Sequence, residues 1–302
     1  MAATARADPT IRAHAGMRSR GIWQSGRPIA ILEALLLLGV LALALFVRYR
    51  WLTEIPRYTD EVNETMSAID IAQGRTFPLV SPTKHVGAYF NYLLAALILV
   101  VGKSPDLPRL VVLATGVATV AVTYGYARRL GGRGAGIAAA GLVAVSAPHV
   151  LLSSRVAWSA SLTPLLVAGA AWALDAAVLS RRPWLVAVAG LLTGLAFQAH
   201  PSVLALLPGL ALFVALRGRW LFRRPELYLG GALFVLGCAN ILLYTSQNGF
   251  RTIRSVNQEY PGEVFGPATY LENVPAALRG LALVVSSVVN PPTVFPLTEP
   301  FL

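Results

Sequence analysis

Cysteine and charge are what this sequence has least of. One cysteine, Cys238, stands among 302 residues, which excludes a disulfide within the chain and gives no ground for a Cys-based zinc site or a thiol nucleophile. Set in an apolar stretch, it reads as a small core hydrophobe. Only 13% of the residues are charged while 56% are hydrophobic, too little polar surface to solvate one water-soluble core. Acids are scarcer than bases, 14 Asp and Glu against 25 Lys and Arg, for a net charge of +11. Such an excess invites a nucleic-acid reading. The bases, however, stand in short clusters between apolar runs, with no basic face and no aromatic interleaving, so nucleic acid is not an expected partner. With a mean hydropathy of +0.62, much of the chain must have lipid as its solvent.

Apolar runs occupy roughly 29–47, 86–102, 109–127, 135–152, 160–179, 184–200, 202–216 and 228–246. Each is near the length that crosses a hydrocarbon core as helix, so the expected fold is an all-α polytopic integral membrane protein. Ala42-Leu43-Ala44 resembles a signal-peptidase site, but the length of the first run and the spans that follow favour a retained anchor. Arginines cluster in the N-terminal tail, at Arg128, Arg129 and Arg133, at Arg181 and Arg182, and at Arg217, Arg219, Arg223 and Arg224. The positive-inside rule puts all four clusters in the cytoplasm. The last three are each separated by two runs, as that requires, but three runs lie between Arg27 and Arg128. One of those three should therefore not cross, and 86–102, bounded by Lys84-His85 and by Gly102 to Asp106, suits an interfacial or re-entrant helix. This gives about seven crossings of the inner membrane in a module over 29–246, preceded by a basic cytoplasmic tail over 1–28. An outer loop over 48–108 carries helices at 61–74 and 86–102, and an outer segment follows over 247–302.

That topology gathers Asp60, Glu61, Glu64, Lys84, His85, Arg155, Trp158 and His200 on the outer side, where a single site is expected. The spans hold almost no ionisable residue besides Glu33 and Asp175, and no inverted repeat is visible, which argues against a transporter. Asp60 and Glu61 fall in the first turn of a helix running to about Gly74, where acids also serve as caps. A carboxylate that takes an acceptor proton and cations that hold a departing phosphate are what glycosyl transfer to a hydroxyl needs. Two carboxylates in this setting suit one base and one hydrogen-bonding or metal partner better than a glycosidase pair, because no water needs activation. A divalent metal stays open as a cofactor; His85, His149 and His200 have no spacing that argues for one.

Arg57-Tyr58-Thr59-Asp60-Glu61 is followed by Lys84-His85-Val86-Gly87-Ala88-Tyr89-Phe90, Leu107-Pro108-Arg109-Leu110 and Gly125-Tyr126-Ala127-Arg128-Arg129-Leu130-Gly131. Further on stand Ser154-Arg155-Val156-Ala157-Trp158-Ser159 and Gly194-Leu195-Ala196-Phe197-Gln198-Ala199-His200-Pro201. In order and spacing these motifs resemble the protein mannosyltransferase and aminoarabinose transferase superfamily of GT-C enzymes, over roughly residues 30–280. The resemblance implies a polyprenyl-phosphate-sugar donor, an inverting transfer, and two juxtamembrane helices in the first outer loop. It implies Asp60 as base with Glu61 supporting it, and Lys84 on the carrier phosphate with His85 beside it. Two departures stand out. Some relatives place a second acid after the position of Trp158, where this chain has Ser159-Ala160-Ser161, and relatives usually run well past Leu302; a truncated copy, a fragment and a minimal module all fit the second.

Arg155 is a candidate phosphate ligand through its fork of donors, against snorkelling to headgroups. Trp158 is a candidate sugar platform, against interfacial anchoring. His200 is a candidate substrate contact, against a simple hairpin turn with Pro201. Arg48, Arg50 and Arg57 read as ligands of lipid phosphates or headgroups. The expected function is thus a membrane glycosyltransferase acting on a lipid, glycan or protein acceptor, beside two rivals: a permease or flippase, and a non-catalytic subunit descended from such an enzyme.

Overall fold

The computed structural model describes residues 26–249, apart from 51, 54, 55, 58, 83 and 84, together with the isolated 275. The basic tail, the C-terminal outer segment and Lys84 therefore lie outside the described residues. Within them the chain is an all-α polytopic membrane protein, its one β feature an isolated bridge between Val80 and Gly87.

The first helix, α1 (Gly26–Arg50), exposes Ile31, Leu35, Leu38 and Phe46, as a helix bathed in hydrocarbon does. Two short helices, α2 (Thr59–Ala72) and α3 (Tyr89–Val101), follow. The continuous helical stretch α4 (Leu107–Val145) covers two of the expected runs, yet Gly132 breaks it with φ 81° and ψ −173°. Only glycine reaches that conformation without strain. The two arms fold back on each other: Val120 from the first packs with Ala140 and Ala144 from the second, and with Ala44 of α1. A Cβ on Gly136 would come within 2.8 Å of the Arg128 Cβ, so the hairpin is tight near its turn.

After Ser146 comes α5 (Ala147–Leu152), then a 3-10 turn at Ser159–Leu162 leading into α6 (Thr163–Leu179). The helix α7 (Leu185–Ala199) is followed by a 3-10 turn at Pro201–Leu206, α8 (Leu207–Arg217), and a 3-10 turn at Arg219–Arg223. The last expected run is two helices, α9 (Pro225–Gly237) and α10 (Ala239–Gln247), bent by 60°. Parallel packing of α7 and α9 rests on small residues. Gly190 faces the Gly230 carbonyl, Gly194 faces the Phe234 carbonyl, and a Cβ on either would fall 2.0 or 2.2 Å from that oxygen. Such small-residue contacts let helix backbones approach in lipid, where hydrophobicity gives no drive to associate.

By length and composition α1, α4, and α6 with its leading turn can cross a membrane; the α9 and α10 pair, bent by 60°, has the make-up of either a broken span or a re-entrant loop, and α3, α7 and the stretch Pro201–Arg217 are shorter. The ionisable groups of the spans are neutralised at one end of the bundle. Glu33 of α1 pairs with Arg128 and Arg133 on either side of the Gly132 turn, and Asp175 of α6 pairs with Arg129. At the opposite end Arg48 is fully buried. It donates to the carbonyls of Ala44 and Ala144 and to Ser153 Oγ, and contacts His149 Nδ1. The headgroup role read from the sequence for Arg48 is thereby replaced by a helix-end pin: a guanidinium on the last carbonyls of α4 meets the negative pole of that helix.

Candidate functional site

The end of the bundle marked by Arg48, the start of α4 and the end of α7 is where the predicted site residues collect. The helix α2 starts at Thr59, with Asp60 and Glu61 in its first turn, and the two acids part company there. Glu61 is fully buried and takes a bidentate pair from Arg109, Nε to Oε1 at 2.8 Å and Nη2 to Oε2 at 2.9 Å. Arg109 Nη1 also donates to the Leu52 carbonyl at 2.6 Å, and Arg57, itself paired with Asp106, stands 3.8 Å from Glu61. Glu61 is thus the bolt between α2 and the start of α4. Asp60 is only partly buried, and among the described residues its carboxylate accepts no hydrogen bond.

One turn on, Glu64 is buried and receives Ser81 Oγ at 2.6 Å and Asn91 Nδ2. Burial, with the nearby Asp60 charge adding to it, raises the Glu64 pKa above its ordinary value against the pull of those two donors. This carboxyl ties α2 to the turn that runs through the bridge of Val80 and Gly87, and to α3. Sequence reasoning noted Glu64 but assigned it no role; Asn91 at Glu64 and Arg109 at Glu61 are the partners it missed. Buried polar side chains inside apolar runs are the only signal that could have named them.

The same turn rests on the end of α7. Gly87 N donates to the Gln198 carbonyl at 2.8 Å, and Tyr89 N to Gln198 Oε1 at 3.1 Å. Any side chain at Gly87 would collide with Gln198. Gln198 Nε2 reaches the Gly237 carbonyl at 2.6 Å, and Asn240 Nδ2, beyond the bend of α9 into α10, bridges Gln198 Oε1 and the Leu79 carbonyl. His85 therefore lies beside His200, close enough that its charge adds to burial in lowering the His200 pKa. His200 Nδ1 accepts the Ser202 N–H at 3.2 Å and so caps the 3-10 turn after it. With Nδ1 an acceptor, the ring proton of neutral His200 sits on Nε2. The 153–162 segment closes the third side: Ser159 Oγ bonds the Ala199 carbonyl at 3.2 Å, and Ala157 packs with Phe90 and Leu94 in a cluster that Tyr89 covers.

Polar atoms are left over at this junction. Among the described residues His85 Nδ1, Tyr89 Oη and Trp158 Nε1 are buried without a hydrogen-bond partner, an arrangement that in native proteins calls for an explanation such as water, a bound group or a catalytic role. Trp158 and Arg155 are half-buried in the same segment. The structure thus brings His85, Trp158 and His200 around the end of α7 and joins Asp60 and Glu61 to them through Glu64 and Ser81. Neither of the two cavities delineated, one of about 220 Å³ among α6, α7 and α8 and one of about 670 Å³ at the far end, is lined by these residues. Among the described residues no three His, Cys, Asp or Glu side chains converge as a metal site.

Residues 85–244 match the sequence model of one family, dolichyl-phosphate-mannose-protein mannosyltransferase. The chain belongs to that family. No curated protein and no solved structure matches it. Membership makes it a membrane glycosyltransferase. The matched stretch of this mannosyltransferase-family chain begins at His85 and takes in Arg155, Trp158 and His200, while Asp60, Glu61 and Lys84 stand just ahead of it.

Proposed function

We propose that this chain transfers a sugar from a polyprenyl-phosphate carrier to an acceptor hydroxyl, with inversion, at the end of the bundle where α2, the 79–87 turn and the end of α7 meet, and that this end faces outward from the inner membrane. The observation that carries the reading is the contrast between adjacent acids: Glu61 is locked onto Arg109 while Asp60 accepts no hydrogen bond from the described residues. A base must keep its lone pairs for the incoming proton. The acceptor oxygen attacks the anomeric carbon opposite the carrier, the bond from that carbon to the phosphate oxygen breaks with its electron pair leaving on phosphate, and Asp60 takes the hydroxyl proton. Glu61 holds the first turn of α2 so that Asp60 keeps its place. Arg155, His200 through Nε2–H, and Lys84 with His85 stabilise the departing phosphate as donors aimed at developing charge. Trp158 supplies an indole face and N–H to the sugar.

The test is transfer from a radiolabelled polyprenyl-phosphate sugar by purified protein in nanodiscs. Asp60→Asn keeps the size of the side chain and should lose about 10²–10⁴-fold in turnover with donor binding retained. Turnover equal to the native protein's would remove Asp60 as base.

A further inference from the structure

A second polar feature lies at the opposite end of α7, fifteen residues or about 22 Å of helix away from His200. Arg181, Arg219, Arg223, Arg224, Trp220 and Pro225 line an open basin of about 670 Å³, within the range of ligand sites. All four charged groups of its wall are positive. Among the described residues none of the four forms an ion pair, whereas Arg128, Arg129 and Arg133 at the same end are each matched to Glu33 or Asp175. The fold therefore neutralises one arginine cluster with its own carboxylates and leaves the other for something else. Glu226, in the first turn of α9, is the acid nearest in sequence and makes no ion pair with them.

The backbone adds an independent sign. Arg181 has φ 55° and is the one residue other than glycine with positive φ among the described residues. It ends α6, with Arg182 N bonded back to the Ala177 carbonyl, in the kind of helix stop where glycine is the unstrained choice. An arginine there places its side chain over the Trp220 ring, Cζ 4.7 Å from the centroid. Stacking fixes the plane of the guanidinium and leaves its N–H edge for an oxyanion. Trp220 Nε1 is itself buried, with no hydrogen-bond partner among the described residues.

We propose that this basin binds a phosphate-bearing anion, of the kind presented by an anionic phospholipid headgroup or by a soluble diphosphate. The exposed Leu179, Trp184, Leu216, Phe222 and Tyr228 around it are surfaces that acyl chains would cover, and basic pockets between spans are the usual seats of such headgroups. This site is separate from the transfer site and stands whether or not that reading holds.

The experiment uses the full chain in phosphatidylcholine nanodiscs with and without cardiolipin, retained lipid being counted by native mass spectrometry, and inorganic pyrophosphate binding being measured by calorimetry in the cardiolipin-free discs. The pair Arg223→Gln with Arg224→Gln is compared with Arg182→Gln with Arg217→Gln, an equal loss of charge at the same end on arginines that do not line the basin. A variant Trp220→Phe keeps an aromatic face under Arg181 while removing the indole N–H and narrowing the stacking surface. Retention of cardiolipin by the native chain, lowered about tenfold or more in the first pair and kept in the second, identifies a lipid site. Pyrophosphate binding with the same dependence and no retained cardiolipin identifies a soluble phosphate instead. Equal loss in both pairs, or no binding of either probe by the native chain, overturns the proposal. If the first pair fails to fold, Trp220→Phe decides: binding weaker than native supports the basin, and unchanged binding overturns it.

Discussion

Arg109 and Glu61 are each almost wholly buried, with side-chain exposures of 1%, so each is the other's closest charge partner, with Arg57 3.8 Å from Glu61 as a second. Removing one partner of such a pair strands the other and costs about 3–5 kcal/mol. Arg109→Met should therefore lower the melting temperature in detergent sharply, and Arg109→Lys should restore only part, since an ammonium cannot reproduce the two-pronged contact. The double change Arg109→Met with Glu61→Leu should be the more stable of the two Met variants. If Arg109→Met melts with the native protein, Glu61 is not held as described. His200 sits at the same end and is governed by pH. Its folded pKa lies below the ordinary 6.5, so as pH falls through 6.5 the unfolded chain takes up a proton that folded His200 refuses, and stability drops. Above that pH the full contribution is present. His200→Asn keeps an acceptor for the Ser202 N–H and should flatten the decline between pH 7 and 5 that thermal melts of the native chain are expected to show.

Among the elements, the hairpin of α4 and the pairing of α7 with α9 hang on glycine for different reasons. Gly132 is a matter of backbone conformation: Gly132→Ala should cost about 1–3 kcal/mol, with the two arms still able to meet. Gly194 is a matter of distance. A Cβ there meets the Phe234 carbonyl, so Gly194→Val should push α9 away and shift the melt further than Gly194→Ala. Equal shifts would mean that the contact yields easily. Gly190 and Gly194 stand four apart in the sequence, a spacing tied to close helix contact in lipid, so this pairing was open to reading from the residues. The break at Cys238 was not: Gly237 and Cys238 continue an apolar run without a proline or a charge, and the bonds that accompany the turn, from Gln198 to Gly237 and from Asn240 to Gln198 and Leu79, join residues far apart in the sequence.

Over the whole molecule, what the sequence made legible follows from range. Hydropathy is local, so the apolar runs at 29–47, 160–179 and 184–200 emerge close to α1, α6 and α7. Acids beside bases in one loop pointed to the candidate-site end by the same local logic. Pairings across long separations left no local trace: Glu61 finds Arg109 across 48 residues, and Asn240 finds Leu79 across 161. The arginine clusters carry an orientation that a labelling experiment reads. Both ends of α3 approach the same end of the bundle, Tyr89 at Gln198 and Ile98 in a cluster with Val112, so a cysteine at Ser104 should react with an impermeant thiol reagent from outside. A cysteine at Ser180 should react only after the membrane is opened, with buried Cys238 silent throughout. Labelling of both from the same side would reverse this arrangement.

The tie from Asn240 to Leu79 also sets a clock for biogenesis. Ribosomes deliver residues in order, so when the 79–87 turn emerges its last anchor is still some 161 residues from being made. Until α9 has threaded and α10 has swung over at Cys238, Gln198 Oε1 and the Leu79 carbonyl lack that amide. A nascent chain arrested just before Cys238 would thus carry every helix up to α9 and an unlatched turn. Protease or hydrogen-exchange snapshots of stalled chains should find the 79–87 turn among the last parts of the protein to become protected, long after the α4 hairpin behind it.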